Sequence, residues 1–182
     1  MPYIKLDETL PGMRSLLAFR PAIAEPLTTL MQILMRSDEG LSKGERELIA
    51  TFVSSLNGCS VCHKIHGEVA QCLLNGEENL IEKVKENYQN APISDKMKAL
   101  LTIAVSVQKN GKQVSIEQVA AAKSRGANDL EIHDTVLISA LFCLFNRYID
   151  GLGILSKDTP ETLKERGKMI AEMGYSSHPP KD

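Results

Sequence analysis

What this chain of 182 residues lacks narrows its function before any motif is read. It has no long basic or acidic run, and its net charge is only −2 at pH 7. The field that a nucleic acid or an anionic membrane surface needs is therefore missing, and neither is an expected partner. Its longest uncharged apolar stretch, TVLISALFCLFN from Thr135 to Asn146, falls well short of the ~20 residues that cross a bilayer. The N-terminal MPYIKLDETLPGMRSLL has no basic segment leading into an apolar one and places Asp7 and Glu8 early, so export is not expected and the cytoplasm is. In a reducing compartment a structural disulfide is not expected either, and a close pair of cysteines reads first as redox-active or metal-binding. No alternating strand pattern occurs anywhere. The expected class is all-α, as a single domain over 1–182, and the 43% hydrophobic content suits one such core.

Residues 1–21 hold Pro2, Pro11, Gly12 and Pro21 among the apolar Leu10, Met13, Leu16, Leu17 and Phe19. That is too interrupted for a helix and too apolar for water, so an extended arm packed on the body is expected. Ile23, Leu27, Leu30, Met31 and Leu34 follow helical spacing over 22–36, with Pro26 near the first turn and Gly40 as the stop. Ser42 and Glu45 are spaced for reciprocal capping and open a helix over 43–56, which Asn57-Gly58 closes. The next helix starts at once and runs to Asn75-Gly76. A polar connection leads to Ser94, which caps a helix ending at Gly111, and Ser115 with Gln118 opens a short one. Asn128 with Glu131 opens the longest, to about Asp150; it is apolar almost all round its middle and is expected at the centre of the fold or in a subunit interface. Thr159-Pro160 starts the last helix, and 176–182 reads as a frayed tail. The segments LIATFVSSLNG and LTIAVSVQKNG echo each other and raise a duplication whose second copy has Lys112 where the first has Cys59.

The richest stretch is NGCSVCHKIHGEVAQC, residues 57–72, with three of the four cysteines and two of the four histidines. Cys59 and Cys62 lie in the first turn of a helix, about 60° apart about its axis, near enough to form a disulfide. His66, one turn on, stands over Cys62, whereas His63 points about 100° away. A helix N-terminus and a neighbouring imidazole both favour the thiolate, and Cys59, nearer the start, is by geometry the more acidic thiol. Three readings stay open on these residues: a redox pair, a zinc half-site of Cys59, Cys62 and His66 that lacks a second close pair (Cys143 and His133 stand alone), and two cysteines that simply pack. Cys72 is turned about 80° from Cys62 and is expected in the core.

ERELIATFVSSLNGCSVCHKIHGEVA resembles the signature of the AhpD-like alkylhydroperoxidases in the carboxymuconolactone decarboxylase superfamily, and in particular its peroxidase-related branch. LPGMRSLLAFRP and LFCLFNRYIDGLGI resemble that branch too, so the likeness covers most of residues 10–155. The resemblance implies an AhpD-like helical bundle of about six to eight helices and a homo-oligomer (trimer, dimer or hexamer). It also implies thiol-dependent reduction of a hydroperoxide, with no haem or flavin on the subunit. By position it makes Cys62 the attacking cysteine, Cys59 the resolving one, His66 the proton-relay histidine and Glu47 the upstream glutamate, nearer the resolving thiol. We expect Cys59 to be the more exposed sulfur, open to a separate dithiol protein or small thiol as reductant. Glu47 has a second reading as a solvated charge at a helix start, although by spacing it lies with Ala50, Thr51 and Ser54. One departure stands out: Val61 replaces a histidine that the family pattern carries before the second cysteine, which shortens the relay. The superfamily's decarboxylases generally lack the cysteine pair, so its presence favours thiol chemistry. The alternative function is a non-catalytic redox-sensing or binding oligomer of the same fold.

Overall fold

Polar caps set most of the helix starts. Ser42 Oγ accepts from the Glu45 N–H at 3.2 Å while the Glu45 carboxylate accepts from the Ser42 N–H at 2.8 Å. The same reciprocal arrangement opens the helices after Ser115 and Asn128, and the Ser94 and Thr159 hydroxyls cap two more. The computed structural model describes residues 1–7, 9–74 and 79–175. Among them are α1 (Met13–Phe19), α2 (Pro21–Arg36), α3 (Lys43–Leu56), α4 (Ser60–Leu74), α5 (Leu80–Asn87), α6 (Asp95–Lys109), α7 (Ile116–Ser124), α8 (Asp129–Gly151) and α9 (Pro160–Met173), with a 3-10 turn at Gly111–Gln113 and no strand. The all-α class is as expected, and the helix count runs slightly above six to eight.

The two additional helices, α1 and α5, fall where the sequence reads as arm and connection. In α1 the interruptions flank the helix rather than break it: Gly12 precedes it at φ +55°, Ser15 Oγ donates to the Gly12 carbonyl at 2.8 Å, and Pro21 follows. α5 buries Leu80, Ile81 and Val84 and starts from Asn79, a non-glycine residue at φ +68°. The expected stop at Asn75-Gly76 and the tail at 176–182 lie outside the described residues.

α3 is the central helix, buried from Leu48 to Ser54 and packed by α4, α6 and α8. Leu48, Ile49, Phe52 and Val53 meet Leu100, Leu101 and Ile103 of α6 and Ile138 and Phe142 of α8 in one core. Its one buried cation is fully used. Arg46 donates from Nε to the Leu41 carbonyl at 3.0 Å, and from Nη1 to the Leu34 carbonyl at 3.0 Å and Asp134 Oδ2 at 2.6 Å, pinning the α2–α3 connection to α8. α8 itself is buried on the side facing α3, α6 and the start of α4. Leu130, Leu137 and Leu144, seven residues apart, stay exposed at 40%, 36% and 50%. No helix among the described residues is long and apolar enough to cross a membrane.

Both ends of the described chain close over one edge of α4. Leu16 of α1 packs with Cys59, Val61, Cys62, Ile149 and Ile154 in a second, smaller apolar cluster, so the N-terminal arm covers the cysteine pair. At the other end, α9 crosses α4 so closely at Gly167 that a Cβ there would lie 2.5 Å from Glu68 Cβ. That approach carries Tyr175 to the inner end of the same site.

Candidate functional site

The turn between α3 and α4 fixes the thiols. Gly58, at φ +72°, reverses the chain, and the Cys59 N–H returns to the Ser54 carbonyl at 3.0 Å. Cys59 then occupies the N-cap of α4. Its carbonyl accepts from the His63 N–H at 3.1 Å, and its sulfur takes the Cys62 backbone N–H as a capping serine hydroxyl would. The two sulfurs are in hydrogen-bonding reach of each other. That shared bond lowers the Cys59 pKa and raises that of Cys62, while burial raises both. The resting charge of a singly deprotonated pair thus sits on Cys59, as the helix-start geometry suggests.

Neighbours on α8 bias the pair the other way. Asn146 is hydrogen-bonded to Cys62 and lowers it, and one turn on, the Asp150 carboxylate beside Cys59 raises that thiol. The Asn146 amide is held in one orientation, since its Oδ1 accepts from Asn57 Nδ2 at 2.8 Å and its Nδ2 donates to Ser54 Oγ at 3.1 Å. Burial corrects one expectation: Cys59 is 0% exposed and Cys62 4%, so Cys59 is not the more open sulfur. The apolar arm lies over it.

Glu47 is not a solvated charge but a fully buried one, and three donors converge on it. Oε1 accepts from Arg36 Nη1 at 2.7 Å and the Tyr175 hydroxyl at 2.6 Å, and Oε2 lies 2.8 Å from His66 Nδ1. Burial pushes the carboxyl up, but hydrogen bonding and charge from His66, the Arg36 guanidinium and the Tyr175 bond outweigh it and leave Glu47 below the usual glutamate range. A carboxylate can only accept. Nδ1 of His66 therefore carries a hydrogen, and in the neutral ring the lone pair that can act as a base is on Nε2. The ring is held edge-on against Phe142, centroids 4.7 Å apart. Tyr175 is raised well above 10 by burial and then by the Glu47 charge, so its hydroxyl stays a donor. The resemblance placed Glu47 nearer Cys59. Its bonded partners are instead His66, Arg36 and Tyr175, while the groups against the Cys59 sulfur are Cys62 and Asp150.

Arg36 and Tyr175 had no signal at the cysteine motif, since each reaches the site from another element. Arg36, the last residue of α2, also donates to the Ile170 carbonyl at 3.1 Å and lies 4.7 Å from the Tyr175 ring centroid. His63 is half-buried away from the cavity, with Nδ1 unpartnered among the described residues and a pKa lowered by burial and by Lys85 and Lys64. Cys72 corrects a second expectation: it is exposed, at the rim of α4 near Lys164, Lys168 and Glu172 of α9. Cys143 is buried against Asn57 Nδ2 at 3.5 Å. Among the described residues no three His, Cys, Asp or Glu side chains are grouped to hold a metal.

A cavity of about 170 Å³ opens in front of Cys62, and Val61, Ile65, His66 and Tyr175 share its wall, whereas Cys59 does not reach it. Where the family pattern carries a second histidine, the wall is the isopropyl group of Val61, so closely covered by the start of α1 that a Cβ on Gly12 would lie 3.1 Å from it. The two sulfurs thus stand in series: Cys62 meets whatever enters, and Cys59 lies behind it.

An all-helical subunit with a CxxC pair at a helix start, backed by a buried glutamate–histidine couple, is the class that fold and site define together. That class is the one to which the AhpD-like group of the carboxymuconolactone decarboxylase superfamily belongs, and the chain is similar to the peroxidase-related branch of that group. The model of the carboxymuconolactone decarboxylase family matches residues 21–82, from the start of α2 to the thiols and beyond. An uncharacterised peroxidase-related protein from Ralstonia eutropha JMP134, described as an alkylhydroperoxidase AhpD core, superposes with a TM-score of 0.78 at 29% identity, over 87% of this chain and 82% of that one. A peroxidase-related protein from Silicibacter sp. TM1040 gives 0.72 at 27% identity over 82% and 76%. A protein of unknown function from Agrobacterium tumefaciens shares the fold at 0.68 and 18% identity, over 81% and 99%. No curated protein matches the chain.

Proposed function

We propose that the protein reduces hydroperoxides with the Cys59–Cys62 pair. The observation that carries this reading is the serial placement of the sulfurs, with Cys62 at the cavity wall beside His66 and Cys59 buried behind it in hydrogen-bonding reach. The pair shares one proton. As a hydroperoxide enters, that proton passes from Cys62 to Cys59 or to His66 Nε2, and the Asn146 amide steadies the charge arriving on Cys62. The Cys62 thiolate attacks the terminal peroxide oxygen, the O–O bond breaks, and the alkoxide leaves as the alcohol after taking a proton from the site. The resulting sulfenic acid condenses with Cys59, releasing water and closing the disulfide.

Restoring the dithiol takes two electrons from a separate dithiol protein or small thiol. Because Cys62 alone lines the cavity, the reductant attacks that sulfur and Cys59 leaves as the thiolate. Cys59 suits this role, since a lower pKa makes the better leaving group and the Cys62 N–H already caps it. This reverses the expected direction of reductive attack.

The test is oxidation of the whole protein with about one equivalent of hydroperoxide, followed by intact mass and peptide mapping. Loss of about 2 Da with Cys59 joined to Cys62 is expected. Thiols that survive excess peroxide, or a disulfide through Cys72 or Cys143, would refute it. Slow oxidation that changes assembly without turnover would favour the redox-sensing alternative.

A further inference from the structure

The cavity in front of Cys62 has an apolar wall, formed in part by Leu17, Leu27, Met31, Phe145 and Ile149, and a charge that does not balance. Three charged side chains line it: Arg14, Arg166 and Asp158. Arg166 Nη1 donates to Asp158 Oδ2 at 2.6 Å, and the Ser156 hydroxyl donates to the same oxygen at 3.0 Å, so that guanidinium and that carboxylate neutralise each other. Glu47, deeper in, is already engaged by Arg36, Tyr175 and His66. Arg14 on α1 is half-buried, and its guanidinium has no hydrogen bond or ion pair among the described residues. One cation is left over at the wall of an apolar cavity that ends on a reactive sulfur.

We propose that Arg14 binds a carboxylate on the substrate, and that the preferred hydroperoxide is a compact aryl or branched-alkyl acid. Its apolar body fills the cavity with the peroxide toward Cys62. A half-buried guanidinium is weakly hydrated, and its planar fork of donors matches a carboxylate through two parallel hydrogen bonds. A single surplus charge suits a monoanion better than a phosphate dianion. Size sets the body. About 170 Å³ is close to the ~150 Å³ apolar cavity that holds a benzene ring, so an aromatic ring or a short branched chain fits and a long acyl tail does not. The chemistry of this inference rests on the hydroperoxide reading, but the binding does not.

The experiment separates the two. Binding of para-isopropylbenzoate and para-isopropylbenzamide, which lack an O–O bond and cannot turn over, is measured by NMR titration on the full chain. Wild type, Arg14→Gln and Arg14→Lys are compared. The acid is expected to bind about tenfold tighter than the amide to the wild type, the worth of one charged hydrogen-bonded contact. That ratio should fall to near one in Arg14→Gln and largely survive in Arg14→Lys. Equal binding of acid and amide to the wild type, or a preference that persists in Arg14→Gln, overturns the assignment. In parallel, cumene hydroperoxide and its para-carboxylate are offered as substrates. If neither is consumed while the acid preference holds, the anion site stands and the hydroperoxide reading falls. Consumption of both at the same rate, with acid and amide bound alike, removes the site and keeps the reading.

Discussion

Replacing Glu47 by glutamine changes almost no volume and removes one charge from the centre of the site. Arg36 and Tyr175 both donate to Oε1, and His66 Nδ1 faces Oε2. The glutamine oxygen will take the position that serves two donors, one of them a cation, which turns its NH2 toward His66. An amide NH2 cannot accept, so the ring must present a bare Nδ1 and move its hydrogen to Nε2. The imidazole stays in place but in the other tautomer, and Nε2 no longer offers a lone pair as a base. General base catalysis contributes about 10²- to 10⁴-fold, so peroxide oxidation of the pair near neutral pH should slow by about 10²-fold or more. Part of that should return at high pH, where thiolate forms unaided. Breaking one side of a buried ion pair costs roughly 3–5 kcal/mol, and the hydrogen bonds kept by the glutamine oxygen bring the expected loss of stability to about 2–3 kcal/mol. Stopped-flow oxidation across pH measures the first effect and urea unfolding the second. Nitrogen NMR of the His66 ring identifies the tautomer. A variant that keeps hydrogen on Nδ1 and oxidises at the wild-type rate would show that the carboxylate sets neither tautomer nor reactivity.

Acid unfolding should carry the mark of the same carboxylate. A folded pKa held below the unfolded ~4.5 contributes stability that is present above pH ~4.5 and lost as pH falls through the folded value. The wild type should lose stability on acidification in that range, and Glu47→Gln should show a shallower limb in urea midpoints measured from pH 6 down to 3. Leu16→Ala, at a fully buried position over Cys59, should cost about 2–4 kcal/mol. It should also speed alkylation of the pair by iodoacetamide; an unchanged alkylation rate would mean that the arm does not shield the thiols. Finally, the exposed leucines of α8 are expected to lie in a homo-oligomer contact. Leu137→Glu with Leu144→Glu should then shift the particle in light scattering to the monomer, and an unchanged mass would exclude that face.

Legibility in the sequence followed the range of the interactions involved. Caps at Ser42, Ser115 and Asn128 are local and legible, as are the helix that Ser42 opens at 43–56 and the placement of the thiols at the next start. α5 carries no sequence signal because its three buried residues sit in a polar segment with no capping side chain, and α1 carries none because prolines bound it on both sides. In the site, His66 is one helical turn from Cys62 and lines the same cavity, a relation that spacing makes legible. The burial of Glu47 could only be suspected from its face of α3. Arg36 and Tyr175 were invisible, since nothing near either residue records that it will meet a glutamate on another helix. Exposure of Cys72 and burial of Cys59 depend on what α9 and the arm cover, and helical angles carry no information about that.

The donors around Glu47 differ in how far along the chain they lie. Arg36 and His66 are 11 and 19 residues from it, and Tyr175 is 128. Synthesis at about 5–20 residues per second delivers the carboxylate, the histidine and both thiols about 5–20 s before Tyr175, which is 109 residues beyond His66. During that interval the nascent chain holds a pair of cysteines at a helix start without α9 against α4 or the tyrosine that completes the carboxylate's bonds. Oxidation in that window would join the sulfurs before α9 docks, and the closed disulfide would then be built into the fold rather than made by it. α9, made after the thiols, is therefore the helix that completes the surroundings of a site laid down in the first half of the chain.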